Sequence, residues 1–294
     1  GYRSLDNKSH FLKIQFVIST FYDQKEIRVE IKWLDSFYFR LCRVFVSCHS
    51  VHFVLFSLQS YALMLHKTRG IALNYIRFRE TSIIVKIYTE EFGIQSYIVN
   101  GVRSTKSKTN RIALFQPLTL LDLVVYHKSK EQTIHRLSEV RCSLPFRSLP
   151  FDFVKSSIAL FMTELLVKTL REEETNLPLF QFLIESIVFL EETQEHYENF
   201  HLQFLAKLAS YLGFGAETVR EMEQELNENL YPYKLEPAMR ESLQAFIHLP
   251  FDYPSHLTRL QRSKLLDTLI FYYKIHLEGL GEIRSLEVLR ELMK

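Results

Sequence analysis

The chain has 294 residues, is 47% apolar and carries a formal net charge of +2; that is apolar content for one large or two modest cores. Its three cysteines, Cys42, Cys48 and Cys142, form no Cys-x-x-Cys pair and no even framework. They argue against a disulfide scaffold and a structural zinc site, and for a reducing compartment. The near-neutral total hides an asymmetry. Met64 to Val140 holds 12 Lys/Arg against 6 Asp/Glu, whereas Arg141 to the end holds 16 against 23. Two units with different partners are expected, the first favouring a polyanion.

Residues 1–63 behave unlike the rest. No glycine lies between Tyr2 and Arg69 and no proline precedes Pro117, yet 13 of the 63 residues are aromatic. Folded units of that length normally need turn punctuation, and disordered tails are normally poor in aromatics. Val44–Leu65 holds no formally charged residue and is long enough to span a bilayer. Its four serines, two histidines, glutamine and cysteine make it a poor hydrocarbon solute. It also lacks the layout of a signal peptide. The expectation is that translation begins at Met64 and that residues 1–63 are a non-native reading of upstream sequence.

From His66 the pattern becomes short strands with turns. Ile71, Leu73 and Tyr75 alternate, "SIIVKIYT" (82–89) is β-branched, and "IQSYIVNG" (94–101) follows Gly93. "LTLLDLVVYH" (118–127) and "QTIHRLSEV" (132–140) complete five strands. Five strands in about eighty residues suit a small closed barrel of the OB type, with SH3-like barrels as the alternative.

In an OB barrel the ligand lies across strands 2–3, gripped by the loops joining strands 1–2 and 4–5. Those loops carry Arg77 and Arg79, and Lys128 and Lys130. A third basic stretch, "RSTKSKTNR", follows strand 3 with Arg103, Lys106, Lys108 and Arg111, and no acid occurs from Phe92 through Leu121. Flexible cations beside a surface on which bases can stack are what phosphate binding requires. Tyr88 and Tyr97 are candidate stacking platforms, with core packing as the alternative for a strand tyrosine.

After Pro150 the period becomes helical. Val154, Ile158, Phe161, Leu165 and Leu166 share a face, and "FQFLIESIVFLEE" (180–192) and "FHLQFLAKLASYLG" (200–213) repeat the behaviour. A long helix from Leu257 to Leu277 ends at Gly279. The fold class is therefore α+β: a five-stranded OB barrel over 64–142, then an all-α domain over 143–294. No phosphate-binding G-x-x-x-x-G-K-[ST] loop and no His-Glu-x-x-His occurs. His196 and His201 sit about 140° apart on a helix and do not converge on a metal. "REEE" (171–174) and "EETQEHYE" (191–198) are expected to be helix-surface charge, and no enzyme is expected.

"KTRGIALNY" followed by "ETSIIVKIYTEEFGIQSYIVNGVRSTKSK", and "LLDTLIFYYKIHLEGLGEIRSLEVLRELM" near the end, resemble the two ends of the RecO family of bacterial recombination mediators. The resemblance runs from about Met64 to Met293. It implies an OB domain that binds single- and double-stranded DNA and anneals complementary strands. It also implies partnership with RecR, with the C-terminal tail of the single-stranded DNA-binding protein SSB and, indirectly, with RecA. A cytoplasmic, nucleoid-associated protein without membrane contact follows. The family's basic positions carry over to Lys67, Arg69, Arg103, Lys106 and Lys108; Arg111 joins them by proximity. Many members bear a four-cysteine zinc motif in the helical domain. The corresponding stretch here, "GFGAETVREMEQELNENLYPYKLEP", has no cysteine, so no zinc or other cofactor is expected. Two other readings stand beside this one: a general single-strand DNA- or RNA-binding OB protein, and a membrane-tethered adaptor using residues 44–65.

Overall fold

The computed structural model describes residues 18–23, 26–31, 44–45, 65–102, 111–126, 134–170, 175–195, 197–232 and 234–292. The chain divides at Met64/Leu65 into two compact units. In the first, β1 (Ile18–Asp23), β2 (Glu26–Ile31) and β3 (Val44–Phe45) form an antiparallel sheet in that order. The rest of the 44–65 apolar stretch lies outside the described residues until Leu65. Among the described residues no helix is long and apolar enough to cross a membrane.

The second unit opens with five strands: β4 (Leu65–Phe78), β5 (Ser82–Thr89), β6 (Gly93–Val99), β7 (Leu120–Tyr126) and β8 (His135–Cys142). They close into a barrel in the order β4-β5-β6-β8-β7, the OB-fold arrangement expected from the strand count. Closure depends on β4, which serves two neighbours in succession. Leu65–Ile71 pair with Tyr126–Leu120, and Gly70–Phe78 pair with Thr89–Ser82. An irregularity between Ala72 and Asn74 bends the strand. Gly70 stands where the two pairings overlap. A Cβ there would come within 2.7 Å of both Ile87 and Leu123, so the interior has room for a backbone and nothing more. The β5–β6 hairpin turns at Gly93, whose φ of 60° suits glycine; the Thr89 hydroxyl donates to its carbonyl at 2.9 Å.

Ala72, Ile83, Val85, Ile87, Tyr97, Val99, Leu121, Leu123, Val125 and Leu137 fill the barrel, with Phe115 of a short 3-10 turn (Arg111–Phe115) as a plug. Alternate residues of the same strands point outward. Ile71, Leu73, Tyr88, Ile94, Leu118 and Leu120 belong to one continuous core with the helices that follow. The charge asymmetry suggests two units; the packing fuses the barrel and helices into one body.

Seven helices follow among the described residues: α1 (Phe153–Thr169), α2 (Leu177–Glu192), α3 (Phe200–Tyr211), α4 (Val219–Glu228), α5 (Pro237–His248), α6 (Arg259–His276) and α7 (Ser285–Leu292). Asp152 and Asn176 cap α1 and α2 through side-chain oxygens, and full capping boxes start α4 (Thr218, Glu221) and α6 (Thr258, Gln261). The acidic stretch packs on the helical core through Val219, Met222 and Leu226 of α4 and through Leu235.

Two carboxylates hold this body together. Glu191, expected on a helix surface, is only 9% exposed. It accepts from the backbone N–H groups of Arg147 (2.6 Å), Ser148 (2.9 Å) and Leu149 (2.7 Å), fastening the strand-to-helix connection onto the end of α2. Buried Lys155 completes the clamp, donating to the Ser148 hydroxyl at 2.7 Å and to the carbonyls of Glu191 and Thr193. Periodicity cannot reveal this correction, because the anion's donors are backbone groups some forty residues away. Glu164 of α1 similarly accepts from the N–H groups of Arg284 and Ser285 and from the Ser285 hydroxyl, capping α7. Burial opposes the charge on each, but the donors outweigh it and hold both carboxyls below the ordinary range.

A carboxyl lowered on folding contributes stability that is present above its unfolded value and lost as pH falls through the folded one. Thermal melts between pH 7 and pH 3 therefore show a decline that is shallower in Glu191→Gln. Glu191→Ala, which leaves buried donors and Lys155 uncompensated, lowers unfolding free energy by about 3 kcal/mol in urea titrations.

Candidate nucleic-acid interface

The strand registers place the predicted cations relative to one another. On the outside of the barrel a single row crosses four strands, Ile76–Ile84–Ile98–Arg136. It continues through Arg136 to Tyr126 of β7. Arg77 and Arg79 follow Ile76 on one side of this row: Arg77 is exposed at the end of β4, and Arg79 is in the turn to β5. Arg79 adopts φ of 51° and its guanidinium lies 5.2 Å from the Phe78 ring. The stretch 103–110, with Arg103, Lys106 and Lys108, follows Val99, which pairs with Ile83 on that same side. Its flanks are Val102 and the 3-10 turn beginning at Arg111, and both Val102 and Phe115 are anchored in the barrel core. The 127–133 stretch, with Lys128 and Lys130, departs from Tyr126 and rejoins at Ile134, two residues before Arg136, on the opposite side. These five loop cations lie outside the described residues; the attachment points of their segments are what the topology fixes. Arg111 is half-buried.

Lys67 and Arg69 are elsewhere. Lys67 is ten residues from Arg77 along β4, about 33 Å in a straight strand, and pairs with Val124 of β7. Lys67 is exposed and makes no ion pair among the described residues. Arg69 is committed: its guanidinium forks onto Glu90 at 2.8 and 2.7 Å and lies 5.4 Å from the Phe180 ring of α2. The hydrogen bond to Glu90 raises Arg69 and lowers the Glu90 carboxyl. With the Thr175 hydroxyl donating to the Glu91 carbonyl at 2.7 Å, this pair ties the β5–β6 hairpin to the helices. Among the described residues, Lys67 and Arg69 therefore lie apart from Arg77 and Arg79.

The tyrosines also differ from expectation. Tyr97 is wholly buried inside the barrel, its ring centroid 6.1 Å from that of His135. Tyr88 is 2% exposed and packs 6.1 Å from Phe180 in the shared core. Neither offers a face to a base. Sequence reasoning missed two cations on the outer barrel face instead: half-buried Lys86, between Asn74 and Ser96, and exposed Arg136. The signal is two-residue alternation, since Lys86 follows Ile84, and Arg136 lies between Ile134 and Ser138, on the side opposite the residues that fill the barrel.

No group of three or more His, Cys, Asp or Glu side chains able to hold a metal occurs among the described residues. His201 is fully buried, and burial lowers it to about 3, so it stays neutral.

The described residues thus form an OB barrel packed on a helical bundle, with Lys86 and Arg136 on an exposed strand face. Residues 64–146 match "Recombination protein O N terminal" and residues 150–287 match "Recombination protein O C terminal". The chain belongs to the RecO family. Curated relatives similar to it include three proteins named DNA repair protein RecO. Those of Flavobacterium psychrophilum and Phocaeicola vulgatus are each 36% identical over 235 and 242 residues, covering 77% and 78% of this chain and 98% and 99% of the relatives. That of Bacteroides fragilis is 33% identical over 243 residues, covering 78% and 99%. The RecO family boundary between 146 and 150 falls in the connection that Glu191 clamps.

Arg69→Ala lowers stability by about 1 kcal/mol or less, because the ion pair is half exposed and screened; raising salt in a thermal melt narrows the difference from wild type. Tyr97→Ala lowers unfolding free energy by about 3 kcal/mol yet leaves the oligonucleotide affinity of the folded protein unchanged in a fluorescence-anisotropy titration, whereas loss of a stacking platform would weaken binding.

Proposed function

We propose that this RecO family protein is a non-enzymatic DNA repair and recombination mediator that binds single- and double-stranded DNA and anneals complementary strands. The observation that supports the reading is an exposed OB strand face carrying Lys86 and Arg136, with Arg77 and Arg79 past one end of it; the sequence adds Arg103, Lys106 and Lys108, and Lys128 and Lys130, in the stretches that connect the strands. Such cations engage phosphates and release counterions without demanding a base sequence. Neutralising two strands at once reduces their repulsion and lets complementary bases meet. Lys67 and Arg111 extend the basic surface; Arg69 acts mainly by joining the hairpin to α2.

The acidic excess after Arg141 repels DNA from the helical side and keeps it on the barrel. RecR, the SSB tail and, indirectly, RecA are the partners this reading assigns, in a cytoplasmic, nucleoid-associated setting. Residues 64–142 form the DNA-binding part and 143–294 the partner-binding part.

With about four phosphates neutralised on single-stranded DNA, log K falls against log salt with a slope of roughly −3. Removing the charges of Arg103, Lys106 and Lys108 together weakens binding to all sequences alike and flattens that slope. Annealing of complementary oligonucleotides coated with SSB tests the mediator role. Binding without annealing on coated strands would leave only a general single-strand-binding protein, and wild-type affinity in the triple variant would reject the assigned cations.

A further inference from the structure

Leu230 stands in a conformation that a leucine rarely adopts, and its side chain is left in solvent. It follows Asn229, the C-cap of α4, at φ of 58°. The Leu230 N–H donates to the Asn227 carbonyl and the Tyr231 N–H to the Leu226 carbonyl, the helix-ending pattern that glycine normally completes. Those hydrogen bonds need only the backbone. The leucine is nevertheless 88% exposed, more than any other large apolar residue among the described ones. Burial within the chain therefore does not offset the backbone cost. Tyr231, next in the chain, lines a groove of about 710 Å³ between α6 and α7. Ile270, Phe271, Ile283 and Leu286 share the lining. The Tyr231 ring lies 4.8 Å from that of Phe271, and its hydroxyl is 2.9 Å from that of Thr268. On the rim Asp267 and Arg290 pair with each other. Glu282 and Glu287 are exposed and have no cationic partner among the described residues, and Lys274 is likewise unpaired. Glu228, two residues before Leu230, accepts from Gln224 rather than from a cation.

We propose that Leu230 and this groove form a docking site for a segment of a partner protein that is apolar on one side and basic on the other. The apolar side covers Leu230 and enters the groove over Phe271 and Ile283, while the basic residues meet Glu228, Glu282 and Glu287. Charge decides the occupant. Three carboxylates against Lys274 favour a cationic segment and disfavour an acidic one. α4, which leads to Leu230, strengthens that field with four glutamates, Glu228 included, against one arginine. A leucine held in solvent beside an apolar groove is an anchor that sheds its water only when a partner arrives. The strained backbone fits the same role, because it aims the side chain outward instead of folding it back on α4. A segment laid in the groove with alternate residues toward Leu230 and toward the rim uses both features at once. The site lies on the helices and does not depend on DNA binding by the barrel.

The test titrates the full chain into three labelled peptides of equal length and follows fluorescence anisotropy. One is an amphipathic Leu/Lys peptide, one a Leu/Glu peptide of the same pattern, and one a Ser/Lys peptide without apolar residues. The Leu/Lys peptide binds about 10-fold more tightly than either of the others. Leu230→Gly weakens its binding about 10-fold, the value of burying one leucine. The same variant raises Tm by about 2 to 4 °C, because glycine suits the backbone there. Opposite changes in binding and stability separate a docking residue from a structural one. Glu282→Gln with Glu287→Gln weakens the Leu/Lys peptide about 3-fold at low salt and removes most of its salt dependence. Equal affinity for the Leu/Lys and Ser/Lys peptides would mean diffuse attraction to acidic surface and would overturn the inference. So would unchanged affinity in Leu230→Gly, or the absence of binding by all three peptides. Preference for the Leu/Glu peptide would also overturn it, and would give the groove to an acidic segment instead.

Discussion

The outer surface of the barrel cannot serve one purpose throughout, because its strands are apolar on both sides over half their length. Ile71, Leu73, Tyr88, Ile94, Leu118 and Leu120 point away from the barrel interior and have to be covered. α1 packs on β4 and Phe180 of α2 meets Tyr88, so the helices supply that cover. This shared core is the constraint from which the other features follow. It orients the barrel, decides which part of its surface stays open, and makes barrel and helices a single body.

The polar groups near this junction serve the same end. Glu191 and Lys155 secure the chain as it leaves β8, using backbone donors that would otherwise be buried without partners. Arg69 and Glu90 secure the hairpin on the other side, their guanidinium–carboxylate fork resting against Phe180. Both devices stand at the closed end of the barrel face. Toward the other end of the strands, Arg77 and Arg136 are exposed and Lys86 is half-buried. One strand, β4, carries both kinds of cation, and its position along the strand decides which becomes a strut and which remains available to a ligand.

Charge is divided along the RecO family chain. Cations are in excess from Met64 to Val140 and acids from Arg141 onward, so the long-range field of the barrel part is the more attractive to anions.

The strands, the helices and their order were legible in the sequence because each rests on local periodicity: alternation in "SIIVKIYT", a helical face through Val154, Ile158 and Phe161, and Gly213 and Gly279 at positive φ after their helices. The excess of positive charge between Met64 and Val140 was equally plain. What no local pattern contains is which of two apolar strand faces is covered, because β4 and β5 are apolar on both. Only the packing of Phe180 and α1 settled that Tyr88 is core, that Arg69 is paired and that Glu191 is buried beneath backbone donors. The physical reason is that burial and charge pairing depend on groups tens of residues away, which meet only after the barrel closes and the helices dock.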